Sequence, residues 1–489
     1  MRDLPRFLLP HLRRSVALLA LWFIAVYLFI SLVRMRFPFQ LEWIEGAMVD
    51  QALRAFKGEP MFIRPNATFI PQIYTPLYYY ASALVMHITG PGFLPLRLVS
   101  WLSSLGFLAV LFVWARKETG RAEFGLLAAG FMAACYKISG SWFDVARVDS
   151  FFVFLTVMAA FAVRFSSRGR QWVLAGICVY AAWLAKQTAT TVFLPVGVAL
   201  FLIQPKKALT IFGTAAVLCA ASFAWMDHTS GGWSSYYFIK FAGALAADYE
   251  IARFWRYWTK DLFGLVPWAL FFAASYLIGQ IKDRQRLLFY GSYLAGAMLT
   301  SCLARIHWGG AENVLMLVYA ALAVMLSIGA AHLADKLTAQ NRTALVTLVY
   351  ALCIVQLASL AYTPVSRIPK KIDYESGEAL MKAMRAYPGE LFAPRFGYLP
   401  LLAGKRTYVQ QSMLDLTVFY DAEFGPRLHR EVEAMIERKE FGAIIFESKL
   451  FQKAVEAHYT KGPAIPIKGS KFWAPGDARN VYVPKERGT

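Results

Sequence analysis

The chain has 489 residues, of which 58% are hydrophobic, 16% aromatic and only 17% charged. Soluble domains run at about 25% charged and 45–50% apolar, so this composition excludes a disordered chain, a collagen-like repeat and a disulfide-rich secreted module. It also argues against a soluble enzyme and for a multi-span membrane protein. The net charge of +20 would suggest nucleic acid in a soluble protein. Here Lys and Arg collect in short turns between apolar runs, so no nucleic-acid partner is expected. Cys135, Cys178, Cys219, Cys302 and Cys353 all lie inside apolar runs with no CxxC spacing, which reads as small buried hydrophobes.

A membrane-crossing helix needs about 20 largely apolar residues. The first run, Ser15 to Val33, follows Arg2, Arg6, Arg13 and Arg14 and precedes no small-residue cleavage site. It predicts an uncleaved signal anchor with a cytoplasmic N-terminus. Further spans are predicted over 95–115, 122–139, 150–167, 171–185, 189–203, 208–225, 261–279, 287–304, 313–333 and 343–362, eleven in all. The turns this order places inside are all basic: Arg116, Lys117 and Arg121; Arg168 and Arg170; Lys206 and Lys207; Lys282, Arg284 and Arg286; Lys336 and Arg342. Ile73 to Thr89 is apolar enough for a helix, but counting it as a span would invert every later loop. It is expected to be an interfacial or re-entrant helix, with Pro71 and Pro76 near its start.

Three outer stretches remain: 34–94, the Trp- and Tyr-rich 226–260, and 363–489. In the last, ELFAPR, FGAIIFE and NVYVP read as short strands and 427–439 as an amphipathic helix. The expected fold is therefore an α-helical polytopic membrane protein with a small C-terminal periplasmic α/β domain. The boundary falls between 1–362 and 363–489, with Pro364 to Lys371 as hinge.

Ionisable residues near bilayer depth are the informative ones in such a protein, and they gather at the outer ends of the spans. Glu42-Trp43-Ile44-Glu45-Gly46 opens the first outer loop, with Asp50 and Arg54 following at helical spacing. WFDVARVDS carries Asp144, Arg147 and Asp149, the next outer turn carries Lys186 and Gln187, and ARIHWGGAEN carries Arg305, His307, Glu312 and Asn313. The inner loops hold only Glu118, Asp283 and Asp335, each beside a cation. Carboxylates and cations on one face suit group transfer: a carboxylate takes the proton of an acceptor hydroxyl, and Arg or Lys holds a departing phosphate. A donor on a lipid carrier would reach such a site sideways from the bilayer.

EGAMVDQALRAFKGEPMF, PQIYTPLYYYASAL and LPLRLVSWLSSLG together resemble the opening of GT-C superfamily membrane glycosyltransferases. The protein O-mannosyltransferase and aminoarabinose transferase group, and the bacterial lipopolysaccharide-core transferases, are the relatives suggested. Arg147-Val148-Asp149 is similar to a second acidic motif of these enzymes, Lys186-Gln187 to a KQT-like turn, and Gly309 to Asn313 to a late GG-x-x-N turn. The resemblance covers roughly residues 10–330. It implies an inverting hexosyl- or pentosyltransferase using a polyprenyl-phosphate-linked sugar donor in a bacterial inner membrane, with a glycan, lipid or protein hydroxyl as acceptor.

It further implies an acidic base in the first loop. Glu45, followed by Gly46, matches best, with Glu42 as the alternate and Asp149 as the second acidic position, ordering the site or a metal. For Glu45, capping or pairing with Arg54 is the competing role; for Asp149 it is capping of its helix. Arg305, Lys186, Arg147 and His307 are the phosphate-binding candidates, against headgroup anchoring, snorkelling or a structural histidine. Tyr74, Tyr78, Glu312 and Asn313 are the substrate-binding candidates, the tyrosines against an aromatic belt. No HExxH-type spacing is present; a divalent cation is compatible with the site and has no ligand motif to support it. A transporter or flippase of a lipid-linked glycan, an O-antigen-type polymerase or ligase, and an assembly scaffold are the competing functions.

Overall fold

The structure, a computed structural model, describes residues 4–246, 248–307, 309–446, 449–465, 467, 472 and 480–485. Each of the eleven apolar runs contains a helix. They are α1 (Leu4–Met35), then after two outer helices α4 (Phe93–Thr119), α5 (Ala122–Ala134), α6 (Asp149–Phe165), α7 (Gly169–Ala185), α8 (Ala189–Ile203) and α9 (Pro205–Ser230). Helices Pro267–Gly279, Arg284–Ile306, Met316–Ala339 and Thr343–Ser359 complete the set. By length and composition six helices could each cross a membrane, or seven if one bent pair counts as a single span.

That bent pair corrects the continuous span expected over 261–279. The chain turns by 87° between Ile251–Gly264 and Pro267–Gly279. Pro267 cannot donate a backbone hydrogen bond and disfavours helical geometry in the residue before it, and Val266 sits at φ −131°, ψ 43°. The helix Met316–Ala339 forms the centre of the bundle, buried along nearly its whole apolar length.

The two outer helices are α2 (Glu45–Phe56) and α3 (Leu77–Thr89). Pro76 occupies the N-cap position of α3, where its missing N–H leaves no hydrogen bond unmade. The C-terminal region carries a four-stranded mixed sheet of order β1-β2-β4-β3: β1 (Glu390–Phe392), β2 (Phe441–Ile445), β3 (Tyr459–Lys461) and β4 (Val481–Pro484). β1 runs parallel to β2, while β4 is antiparallel to both its neighbours. The helix expected at 427–439 spans Gly425–Glu437 and buries Leu428, Val432 and Ile436 along one stripe.

The sheet region and the first outer loop share one apolar core. Phe37, Met48, Phe62, Tyr79 and Leu96 belong to the same buried cluster as Phe392, Leu414, Val432 and Ile444. The Trp- and Tyr-rich outer stretch supplies much of the socket. Trp233 and Tyr236 lie against Phe424 at ring-centroid distances of 5.4 and 5.3 Å, and the Tyr237 hydroxyl donates to the Ile63 carbonyl at 3.0 Å.

Candidate active site

Four loops at one end of the bundle bring the acidic and basic residues together. Residues 36–44 lead from α1 into α2, 135–148 from α5 into α6, 186–188 join α7 to α8, and 307–315 lead into the central helix. Two hydrogen bonds tie α3's approach to the α7–α8 turn: Gln187 Nε2 donates to the Ile73 carbonyl at 2.7 Å, and Thr75 Oγ1 to the Trp183 carbonyl at 2.8 Å.

Glu45 and Glu42 differ sharply in their surroundings. Arg97 grips Glu45 with both arms, Nε to Oε1 at 3.0 Å and Nη2 to Oε2 at 2.7 Å. The backbone N–H groups of Leu41 and Ala146 donate to the same carboxylate at 2.6 and 2.7 Å. Both oxygens are thus doubly bonded in a site with no solvent exposure. Burial alone would raise this carboxyl, but Arg97 and the two N–H groups outweigh it and hold it below its ordinary value. Glu42 receives only Ile44 N–H at 3.0 Å and Arg147 Nη1 at 3.2 Å, both on Oε2. Its Oε1 is buried and without a hydrogen-bond partner among the described residues. Burial therefore prevails over Arg147, and the carboxyl is pushed up to about 7.

From Glu42 the charges alternate. Arg147 reaches on to Asp149, Nε to Oδ2 at 3.8 Å, and Asp149 Oδ1 takes Lys186 Nζ at 3.2 Å. Lys186 Nζ also lies over the Tyr74 ring at 4.9 Å, and Asn313 faces the Asp149 carboxylate. Arg147 Nε and Asp149 Oδ2 are, like Glu42 Oε1, buried without a hydrogen-bond partner among the described residues. Buried polar atoms are rarely left so; Arg147 Nε and Asp149 Oδ2 have each other as an ion pair, so of the three it is Glu42 Oε1 that has an unmet acceptor. Beside it, α7, α8 and α9 enclose an apolar groove of about 780 Å³, lined among others by Trp183, Thr190, Phe193, Phe201, Leu209 and Phe223. Trp183, Ala189 and Thr190 of its lining flank the turn carrying Lys186 in sequence.

The other expected residues are engaged elsewhere. Arg305 spends its guanidinium on Asp261 at 2.8 Å, the Gly310 carbonyl at 2.7 Å and Glu312 at 3.4 Å. Glu312 also stands 3.9 Å from Arg256. His307 lies among Asp248, Glu250 and Arg253 rather than in the charge row, and burial lowers its proton affinity. Tyr78 is fully buried, its hydroxyl bonded to the Leu96 carbonyl at 3.2 Å and to Ser100 Oγ at 3.0 Å, so it presents no free face to a substrate. The pairing of Glu45 with Arg54 is corrected: Arg54 binds Glu59 at 3.2 Å and the Pro60 carbonyl at 2.9 Å. Among the described residues no group of three or more His, Cys, Asp or Glu stands where it could hold a metal ion.

Two residues outside the expected set are central to the site. Arg97 locks Glu45, and Arg34 closes on Asp144 at 3.3 Å with Tyr136 between them. Each is an arginine within or at the end of an apolar helix, the placement that marks a functional or paired cation in a membrane protein.

The arrangement of helical bundle and C-terminal sheet region is a fold shared with solved structures. Residues covering 94% of this chain and 97% of the other superpose on the crystal structure of ArnT from Cupriavidus metallidurans bound to undecaprenyl phosphate, with a TM-score of 0.61 at 13% identity. The apo state of the same protein gives 0.59 at 14% identity over the same shares. The crystal structure of the Archaeoglobus fulgidus oligosaccharyltransferase in complex with Zn and sulfate matches 95% of this chain and 75% of that one, at 12% identity and a TM-score of 0.49. No protein-family model matches the chain, and no curated protein does.

Proposed function

We propose that the protein is a membrane glycosyltransferase that moves a sugar from a polyprenyl-phosphate carrier to an acceptor hydroxyl at the outer face of a bacterial inner membrane. One observation carries the reading: the half-free, buried Glu42 carboxyl stands beside the Arg147–Asp149–Lys186 row, and residues on either side of Lys186 in sequence line a lipid-sized apolar groove. The fold shared with an ArnT that binds undecaprenyl phosphate supports the carrier class.

In this reading Glu42 Oε1 takes the proton of the acceptor hydroxyl. The acceptor oxygen attacks the anomeric carbon from the face opposite the leaving group. The bond from that carbon to the carrier phosphate oxygen breaks, and the electron pair departs with the phosphate. Lys186 and Arg147 neutralise the charge that develops there, exchanging part of their hold on Asp149 for the phosphate. The groove between α7, α8 and α9 seats the isoprenoid tail. Glu45 keeps the loop in place through Arg97 and takes no proton, while Arg305 shapes the Gly310 turn.

Purified protein in nanodiscs is supplied with a panel of radiolabelled polyprenyl-phosphate sugars, and release of polyprenyl phosphate is followed for wild type and Glu42→Gln. Turnover of one donor that is lost in a folded, donor-binding Glu42→Gln supports the assignment. Movement of an intact lipid-linked sugar between leaflets without its consumption would replace it with the flippase reading.

A further inference from the structure

Three separate elements of the C-terminal domain press on residues 37–46, the stretch that carries both glutamates. The first is the helix Lys371–Ala386. Its Tyr374 meets Phe37 edge-on at 5.0 Å between ring centroids, and its Gly377 lies so close to the Phe39 ring that a Cβ has no room.

The second is the turn at Gly397 and Tyr398. A Cβ on Gly397 would come within 2.6 Å of the Gly46 carbonyl carbon, and one on Gly46 within 2.8 Å of the Tyr398 nitrogen. Gly397 also sits at φ +40°, a conformation that side chains resist. The two chains meet backbone to backbone at the first turn of α2.

The third is Gln410. Its amide Nε2 donates to the Trp43 carbonyl at 3.2 Å, one residue from Glu42. Its own carbonyl oxygen receives Ser412 N–H at 2.7 Å at the start of the helix Gln411–Tyr420, which fixes which end of the amide faces Trp43.

We infer that the C-terminal domain is a positioning element for the base: Gly397 and Gln410 set where the backbone of residues 42–46 lies, and through it where Glu42 Oε1 points. The inference rests on Glu42 as base. Arg97 and Ala146 hold the Glu45 end of the loop from within the bundle; at the Glu42 end Arg147 holds the carboxylate, and the Trp43 carbonyl is shared between Gln40 of the loop itself and Gln410 of the domain. Catalytic groups displaced by about 1 Å lose on the order of a hundredfold in rate, a shift of the size an added methyl at Gly397 would impose.

The test compares wild type, Gly397→Ala, Gln410→Ala, Glu42→Gln and, as control, Glu431→Ala. Glu431 Oε1 bonds the Ala67 N–H at 3.2 Å and so ties the same domain to a part of the loop away from residues 37–46. Full-length proteins in nanodiscs are assayed for kcat, donor KM and the pH dependence of kcat, with monodispersity checked by gel filtration. Gly397→Ala and Gln410→Ala should lower kcat about tenfold or more at a donor KM within about twofold of wild type, and should move the acidic limb of the pH profile. Glu431→Ala should leave that limb in place.

Should Gly397→Ala aggregate, Gln410→Ala decides, because it removes the bond to Trp43, together with the cap bonds to Ser412, and introduces no clash. Wild-type kcat and limb in Gln410→Ala would overturn the positioning role while leaving Glu42 as base. An equal effect in Glu431→Ala would overturn it in favour of general docking. A limb that persists in Glu42→Gln would overturn the base assignment instead.

Discussion

Glu42 and Glu45 stand three residues apart on one turn, yet Glu45 has both oxygens bonded by Arg97 while Glu42 has one oxygen free. The separation of their roles follows. A carboxylate clasped by a guanidinium and two N–H groups has no lone pair to offer a proton in flight. A buried carboxyl with an unmet oxygen does.

Substitution should therefore divide the pair. Glu42→Gln is expected to cost about 10²–10⁴-fold in kcat, the usual worth of a positioned base, with thermal stability close to wild type. Glu45→Gln leaves Arg97 buried against a neutral partner. Breaking a buried pair costs about 3–5 kcal/mol, so this variant should show a lowered melting temperature and loss of folded protein. Turnover and melting in the same nanodisc preparation separate the two.

The pH dependence should run in opposite directions for rate and stability. Burial pushes Glu42 from an ordinary 4.5 to about 7, so kcat should rise as pH climbs through about 7 and the base ionises. The folded protein holds this proton more tightly than the unfolded chain does. The stability it contributes is complete below pH 4.5 and is lost as pH climbs through about 7. Rate and melting temperature measured from about pH 5 to pH 9 check both slopes, and Glu42→Gln should flatten both.

Much of this arrangement was legible in the chain, and the failures have physical causes. Apolar runs of bilayer length give helices reliably, because every backbone group must be bonded within the segment; α1, α4 and α9 lie where hydropathy puts them. All three strand runs read from the sequence, ELFAPR, FGAIIFE and NVYVP, contain strands, β1, β2 and β4. β3 was missed because its Thr460 and Lys461 are exposed and carry no apolar alternation.

At the site, residue types and their gathering on one face were readable, while pairing was not. Arg97 lies 52 positions from Glu45 and inside an apolar run; the LPLRLVS segment brought this arginine into the resemblance, but no local spacing pairs it with Glu45 in place of Arg54. Local spacing favoured Glu45 as base through its neighbour Gly46. The structure gives that glycine another reason, the close approach of Gly397.

The groove predicts a dependence on carrier length. Gly213 lines it, and a Cβ there meets nothing within 4 Å, so Gly213→Phe fills the groove without displacing backbone. KM for a long-chain polyprenyl donor should rise about tenfold or more, on the order of 1.4 kcal/mol, while a short-chain analogue is used as before. Equal KM changes for both donors would remove the tail from this groove.

Lys186 and Tyr78 should behave in contrasting ways. Lys186→Met removes a phosphate-facing cation and leaves Asp149 with Arg147, so donor affinity should fall about tenfold in direct binding of polyprenyl phosphate. Tyr78→Phe deletes a buried hydroxyl bonded to Leu96 and Ser100. It should cost about 1 kcal/mol of stability and leave donor KM and kcat unchanged, which a sugar-stacking tyrosine would not.

Trp43 and Gln410 are 367 positions apart. Contacts of such sequence separation close late in folding, whereas the turn around Glu42 and Glu45 closes over a few residues. The acidic turn therefore takes shape before the amide that clasps it is in place, and its final setting is among the last steps of the fold.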